Sequence, residues 1–346
     1  MTSRNLKLCL CFGIAAGLLH AQSGNLNIYF IDVEGGAATL TVTPSGQSLL
    51  VDTGNPSPTD RDAKRIFEAA QLAGIKKIDA VIITHYHGDH SGGVVALSKL
   101  IPIDKFYDHG DSAEAAGNPR AAQMWEAYKG VADGKRVVVK PGDKIPLKGV
   151  DVTVVSSNGR VIDKPIKAEG PNPLCKDTQQ KEPDPTQPEN FLSVGTLLTY
   201  GKFKFLNLGD LTWDRELMLA CPVNKIGTIT LFQATHHGFY NEWSGPPAFV
   251  WALKPQVVIV ENGPTKGLPA GGYEVLAKIP GIEGIWQGHR AVRNDDAHNT
   301  TESMIANLSP TQDETKGNWM KASISKDGTF TVTNSRNDLS KTYTIR

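Results

Sequence analysis

Beyond the first two dozen residues the chain alternates short apolar runs with turn-forming stops. Leu26 to Val33 has strand composition and stops at Glu34-Gly35-Gly36; Ala38 to Thr43 reaches Pro44-Ser45-Gly46; Ser48 to Val51 ends at Asp52-Thr53-Gly54. Short β-rich runs divided by Gly/Pro turns predict antiparallel pairing at the start. Arg61 to Ala73 carries Ile66, Ala69, Ala70 and Ala73 at helical spacing and closes on Gly74, which predicts a helix. Ile78 to Ile83 is an apolar run broken only by Asp79, the composition of a strand buried on both faces. It leads into Thr84-His85-Tyr86-His87-Gly88-Asp89-His90, and Val94 to Leu100 predicts a short helix after it.

The middle is less regular. A helix flanked by loops is predicted within 111–134, and strands between Arg136 and Val155. Residues 156–189 are polar and Pro-rich, and read as a surface insertion overhanging a site. Regular structure returns with a hairpin, Ser193 to Tyr200 and Lys204 to Leu208, followed by apolar runs Thr228 to Ala234, Val257 to Val260 and Gly284 to Gln287. The tail, 318–346, reads as a β-hairpin around Lys326-Asp327-Gly328. Four apolar runs lead into a polar, potentially metal-binding residue: Asp52, His85, Asp210 and His236. Strand ends of a layered α/β protein are where ligands gather.

Composition adds limits. With 36 basic and 36 acidic residues, the chain has no overall field for nucleic acid or an anionic membrane. Arg4 and Lys7 precede the apolar run Leu8 to Leu19 and a small-residue cut point after Ala21, the pattern of a secretory signal peptide over 1–21. That run is short of the about 20 apolar residues a membrane span needs. The expectation is therefore a secreted or periplasmic mature chain, 22–346, forming a single domain without a membrane span. Removal of the leader leaves Cys175 and Cys221, for which a disulfide or two buried thiols both fit, and neither has metal-ligand spacing.

His85-x-His87-x-Asp89-His90 places three imidazoles and a carboxylate within six residues, donors suited to zinc and similar ions. With this motif the chain resembles the metallo-β-lactamase superfamily over about residues 26–290. The resemblance implies an α/β fold of the αββα four-layer sandwich type. It also implies a centre for two zinc ions, with manganese or iron as alternatives, Asp210 as bridging carboxylate and Asp52 orienting the ligand loop. Asp32-Val33-Glu34-Gly35-Gly36, Leu50-Val51-Asp52-Thr53-Gly54, Asn190, Leu208-Gly209-Asp210 and His236-His237-Gly238 are similar to the hydrolase domain of DNA-uptake competence proteins and to secreted phosphorylcholine esterases. Both imply phosphodiester hydrolysis by an activated hydroxide.

Two departures stand out. The histidine that β-lactamases and glyoxalase II carry between His90 and Asp210 is missing, since His109 lies in a different context and reads as a surface residue; Asn190 takes the competence-type position. Glu261-Asn262 stands where another histidine is expected. The deficit falls to His236 as ligand and to His237 as ligand or substrate contact, an order that sequence leaves reversible. His289 is a candidate pocket residue, and His298 reads as solvated. Asp89, His237, Asn190 and His289 form the candidate catalytic set. The implied substrate is a small molecule, nucleotide or nucleic acid, for which Lys164, Lys167, Lys176 and Lys181 are candidate groove cations or plain solvated charges. No protein partner is implied. Hydrolysis of another ester, lactone or β-lactam, and a non-catalytic binding role on the same fold, are the alternatives.

Overall fold

In the computed structural model, which describes residues 24–167, 170–240 and 242–346, two nine-stranded sheets face each other. The leader expected at 1–21 lies outside the described residues. The first sheet runs antiparallel through Ser340–Thr344, Thr329–Asn334, Met320–Ile324, Leu26–Phe30, Thr39–Val42 and Ser48–Val51. It then turns parallel for Ile78–Ile82, Ile103–Asp108 and Arg136–Val138. The second runs antiparallel through Lys144–Ile145, Asp151–Ser157, Gly195–Tyr200 and Phe203–Asn207, with Arg160–Val161 beside Asp151–Ser157. Its parallel half is Leu231–Gln233, Val257–Val260, Gly284–His289 and Ile305–Asn307.

Side chains alternate across each strand, which explains the continuous apolar runs. Leu49, Val51, Ala80 and Ile82 enter the core between the sheets, where they join Phe205, Leu231 and Ile259. Leu50, Val81 and Ile83 point the other way, onto the layer containing helices Arg61–Leu72 and Pro119–Ala132. Leu206, Phe232 and Val258 likewise face outward to residues of the helices Trp213–Ala220, Pro247–Leu253 and Ala270–Ala277. The result is the αββα four-layer sandwich.

Two regions are richer than their sequence suggests. The tail adds a third strand to the expected hairpin, and Met320–Ile324 pairs with Leu26–Phe30, so the C-terminus completes the first sheet. The Pro-rich segment is pinned to the second helical layer. Cys175 and Cys221 form a disulfide, and the Asn172 side chain donates to the Ala220 and Ala248 carbonyls at 3.2 and 2.8 Å. Closing a loop with this 46-residue separation stabilises the fold by about 3–4 kcal/mol through the unfolded chain.

Glu216, on helix Trp213–Ala220, is fully buried; Oε2 accepts the Gly245 amide at 2.6 Å while Oε1 has no hydrogen-bond partner. Burial pushes its pKa up to about 8. The folded chain thus keeps a proton that the unfolded chain releases above the ordinary carboxyl range of about 4.3. Its contribution to stability is complete below that range and is lost as pH rises towards about 8. In urea unfolding, Glu216→Gln is expected to gain on the order of 3 kcal/mol over the parent at pH 8 and little at pH 5. Parallel pH profiles for the two proteins would refute this.

Candidate metal centre

The strand ends face one another. Asp52, just past Ser48–Val51, takes a left-handed backbone (φ 63°) that turns its carboxylate under the histidine motif. Its Oδ1 accepts the Thr84 amide at 2.8 Å, and its Oδ2 accepts the Thr84 hydroxyl at 2.8 Å and lies 2.7 Å from His90 Nδ1. With Nδ1–H donating to Asp52, Nε2 of His90 points inward. That nitrogen is buried without a hydrogen-bond partner and lies 3.3 Å from both Asp89 Oδ2 and Asp210 Oδ1. Burial pulls the His90 pKa down, but Asp210, Asp89 and Asp52 outweigh it and hold it well above the ordinary histidine value. Burial raises the pKa of Asp89 and Asp210, and neighbouring cationic groups, His90 foremost, reverse this and hold both well below the usual carboxylate range. A buried and a half-buried carboxylate this close call for a positive charge between them, and a proton on His90 or a cation meets that need.

His237 completes the set. Its Nδ1 lies 3.0 Å from the Glu261 carbonyl, which fixes the ring so that Nε2 lies 3.2 Å from Asp89 Oδ2 and 3.6 Å from Asp210 Oδ2. Asp89, His90, Asp210 and His237 thus offer one donor atom each, all within 4.8 Å of one another. A tetrahedral ion with bonds of about 2.0–2.2 Å sets its ligand atoms about 3.3–3.6 Å apart. The donors fit a divalent metal ion in number, chemistry and spacing.

His85, His87 and His236 stand on a looser side of Asp210. Asp210 Oδ2 lies 3.4 Å from His236 Nε2 and 4.0 Å from His85 Nε2, which in turn is 3.1 Å from His87 Nδ1. Thr84 Oγ1 contacts His85 Nδ1 at 3.1 Å, and Glu114 Oε1 contacts His87 Nε2 at 3.1 Å. His236 and His237 both adopt left-handed backbone (φ 52° and 53°), a conformation that costs non-glycine residues free energy. The strain accompanies a split: His237 joins the close set, whereas His236 approaches Asp210 and stacks 5.2 Å from the Trp243 ring. Sequence reasoning favoured His236 as the ligand of the pair; in the structure His237 has the tighter donor geometry.

Asn190 and His289 lie outside the donor set. Asn190 is buried on the wall of a 420 Å³ cavity shared with Lys181, Thr212, Trp213 and Trp243. Its amide donates to Gln187 Oε1 at 3.1 Å and its Oδ1 has no partner. His289 belongs to a different buried network, with Nε2 2.7 Å from Asp32 Oδ1 and 3.6 Å from Glu34 Oε2. Arg65 bridges the same two carboxylates at 2.9 and 3.3 Å and supplies one positive charge to them. His109 requires a correction. It is fully buried and its Nε2 lies 3.1 Å from Glu189 Oε2, because strand Ile103–Asp108 delivers it beneath Tyr86. His298 is half-buried and pairs with Asp295 at 2.6 Å. Lys164, Lys167 and Lys176 are exposed; of the candidate groove lysines Lys181 lines the cavity, 4.0 Å over the Trp213 ring.

Several site residues carried no sequence signal. Glu189 accepts the Tyr86 and Ala113 amides at 3.2 and 2.6 Å and the Ser112 hydroxyl at 2.7 Å, which braces the histidine loop. Glu114 and Lys266, whose ammonium contacts Asp89 Oδ2, come from loops with no motif around them.

The four layers and the strand-end donors define a metallo-β-lactamase-type fold. Residues 31–171 match the model of the metallo-beta-lactamase superfamily. A metal-dependent hydrolase of Anaeromyxobacter dehalogenans is 28% identical over 181 residues, 48% of this chain and 61% of that protein. A hydroxyacylglutathione hydrolase of Xanthomonas campestris pv. campestris is 29% identical over 34% of this chain and 36% of its own length. The chain thus matches less than two thirds of either relative. Among solved structures, the metallo-beta-lactamase fold protein YhfI from Bacillus subtilis is 13% identical, with a TM-score of 0.48 covering 75% of this chain and 95% of that one.

Because Asp52 acts on the centre through His90, Asp52→Asn should weaken divalent-metal affinity by about 10–100-fold while the chain stays folded. Chelator competition measures it. Unchanged affinity would remove Asp52 from the support of the site.

Proposed function

We propose that this chain is an exported metal-dependent hydrolase that cleaves phosphodiester bonds. The observation that carries the hydrolase reading is the convergence of Asp89 with the buried His90, Asp210 and His237 on one small volume. Divalent ions held there supply Lewis acidity and a water acidic enough to react near neutral pH. The chain's own groups do the rest. Asp52 and the Glu261 carbonyl fix the ring orientations of His90 and His237. Asp89 and Asp210 supply the negative charge that retains cations. The cavity beside His236 receives one side of the substrate between Trp213 and Trp243, and the unpartnered Asn190 Oδ1 accepts a hydrogen bond from it.

The phosphodiester assignment rests on the competence-type sequence pattern: Asn190 in place of the missing histidine, and the His236-His237 pair. A second reading, thioester hydrolysis, is favoured by the names of relatives. Besides the hydroxyacylglutathione hydrolase, an atrochrysone carboxyl ACP thioesterase of Cryptosporiopsis sp. is 36% identical over 76 residues. Export is supported by the leader pattern of residues 1–21 and by the Cys175–Cys221 disulfide, which suits an oxidising compartment.

Metal analysis and a panel of phosphodiester, thioester, lactone and β-lactam substrates test the reading. At least one divalent ion per chain is expected. Asp210→Ala and His237→Ala should each lower turnover on the order of 10²-fold or more. Less than one ion per chain under metal-replete conditions, or full activity in either variant, would overturn the metal hydrolase. Turnover of thioesters alone would select the second reading.

A further inference from the structure

Lys266 lies in the loop after Val257–Val260, between Gly263 and Leu268. That loop is clamped at both ends: the Gly263 amide donates to the Lys266 carbonyl at 2.9 Å, and the Leu268 amide donates to the His237 carbonyl at 3.0 Å. Glycines make the approach possible. A Cβ on Gly267 would lie 2.4 Å from the His237 carbonyl oxygen. A Cβ on Gly35 would lie 2.9 Å from the Gly263 amide nitrogen and 3.3 Å from Lys266 Cβ, and one on Gly36 would lie 2.5 Å from the Asp89 carbonyl oxygen. The Glu34-Gly35-Gly36 turn, noted in the sequence without a role, is thus the seat on which the Lys266 loop and the Asp89 backbone meet.

This packing puts the Lys266 ammonium on Asp89 Oδ2, the oxygen that also faces His90 and His237. The Lys266 side chain remains 39% exposed, so the same ammonium reaches solvent at the rim of the centre. Asp89 Oδ2 cannot serve fully both as a metal ligand and as the partner of an ammonium. With Asp89 and Asp210 engaged by divalent ions, the local charge becomes positive, and a lysine at its edge adds a donor for an anion.

We propose that Lys266 forms an anion subsite at the edge of the metal centre, exchanging the Asp89 carboxylate for an anionic oxygen of the substrate. It rests on the metal hydrolase reading above and names its substrate class: molecules with a phosphate or carboxylate oxygen beside the scissile bond. Lys266 is a specificity residue, and it also competes with cations for Asp89.

Calorimetry with zinc alone, then with inorganic phosphate or acetate added to the zinc-loaded protein, tests this on the parent, Lys266→Met and Lys266→Arg. Lys266→Met should bind zinc as tightly as the parent or several-fold more tightly. It should bind the preferred anion about tenfold more weakly, as expected for loss of a charged hydrogen bond. Lys266→Arg should restore most of the anion affinity. Phosphate or acetate, whichever shows the dependence, identifies the anionic group. Equal anion affinity in zinc-loaded parent and Lys266→Met would overturn the subsite and leave the metal hydrolase standing. Failure of all three proteins to bind zinc would overturn both.

Discussion

Two carboxylates, Asp89 and Asp210, approach the same imidazole nitrogen, His90 Nε2, at 3.3 Å each. Like charges so close, one buried and one half-buried, repel unless a positive charge lies between them. The surroundings answer that repulsion from every direction. Asp52 fixes the far side of the His90 ring, His237 and Lys266 approach Asp89, and His236 and His85 approach Asp210. An arrangement that needs a cation this strongly is poorly suited to an inert scaffold. It suits a centre that exchanges a proton for a metal ion.

The fold makes the convergence affordable by dividing it between two sheets. Each sheet has a parallel half, and the strand ends of those halves face each other. The first sheet contributes Asp52 and the histidine loop, the second Asp210 and the His236-His237 pair. The Val194 amide donates across the two halves to the Thr84 carbonyl at 2.9 Å, while Asp52 to the Ile82 carbonyl at 2.9 Å and His236 to the Gly209 carbonyl at 3.0 Å tie neighbouring strand ends within each sheet. These bonds anchor the short turns that carry the donors directly to the ends of buried strands.

The sequence was informative where chemistry and secondary structure coincide locally. Apolar runs ending in Asp52, His85, Asp210 and His236 marked the strands and the position of the site together, while the layer order came from the family resemblance. It was silent where one polar residue reaches the site across the fold. Glu189 contacts Tyr86 from 103 residues away and Lys266 contacts Asp89 from 177. Lys266 has no flanking motif, and Glu189, although next to Asn190, has no pattern of its own that distinguishes it from a solvated charge. His109 shows the opposite failure. A lone histidine is usually exposed, yet its strand carries it inward to a buried carboxylate. His289 resembled a pocket residue because it ends a strand, but Asp32, 257 residues earlier, engages it in a buried network that Arg65 also enters.

The missing histidine between His90 and Asp210 bears on what the site recognises. His236 and His237 are adjacent in the chain, and their left-handed backbone sends the rings to different neighbours. One reaches the close donor set through Asp89 and the other approaches Asp210, so a single turn supplies donors that would otherwise come from separate loops. Asn190 lines the cavity on this side, and His236 carries Trp243 against its ring at the cavity wall. The disulfide-tied Pro-rich segment supplies the opposite wall, through Lys181 and the residues that follow it. The metal donors therefore follow directly on buried strand ends, while the disulfide-tied strap and the Lys266 loop, to which the proposed reading gives substrate selection, lie at the edge of the site. Loops can vary without disturbing the donors, which lets one metal centre serve different substrates.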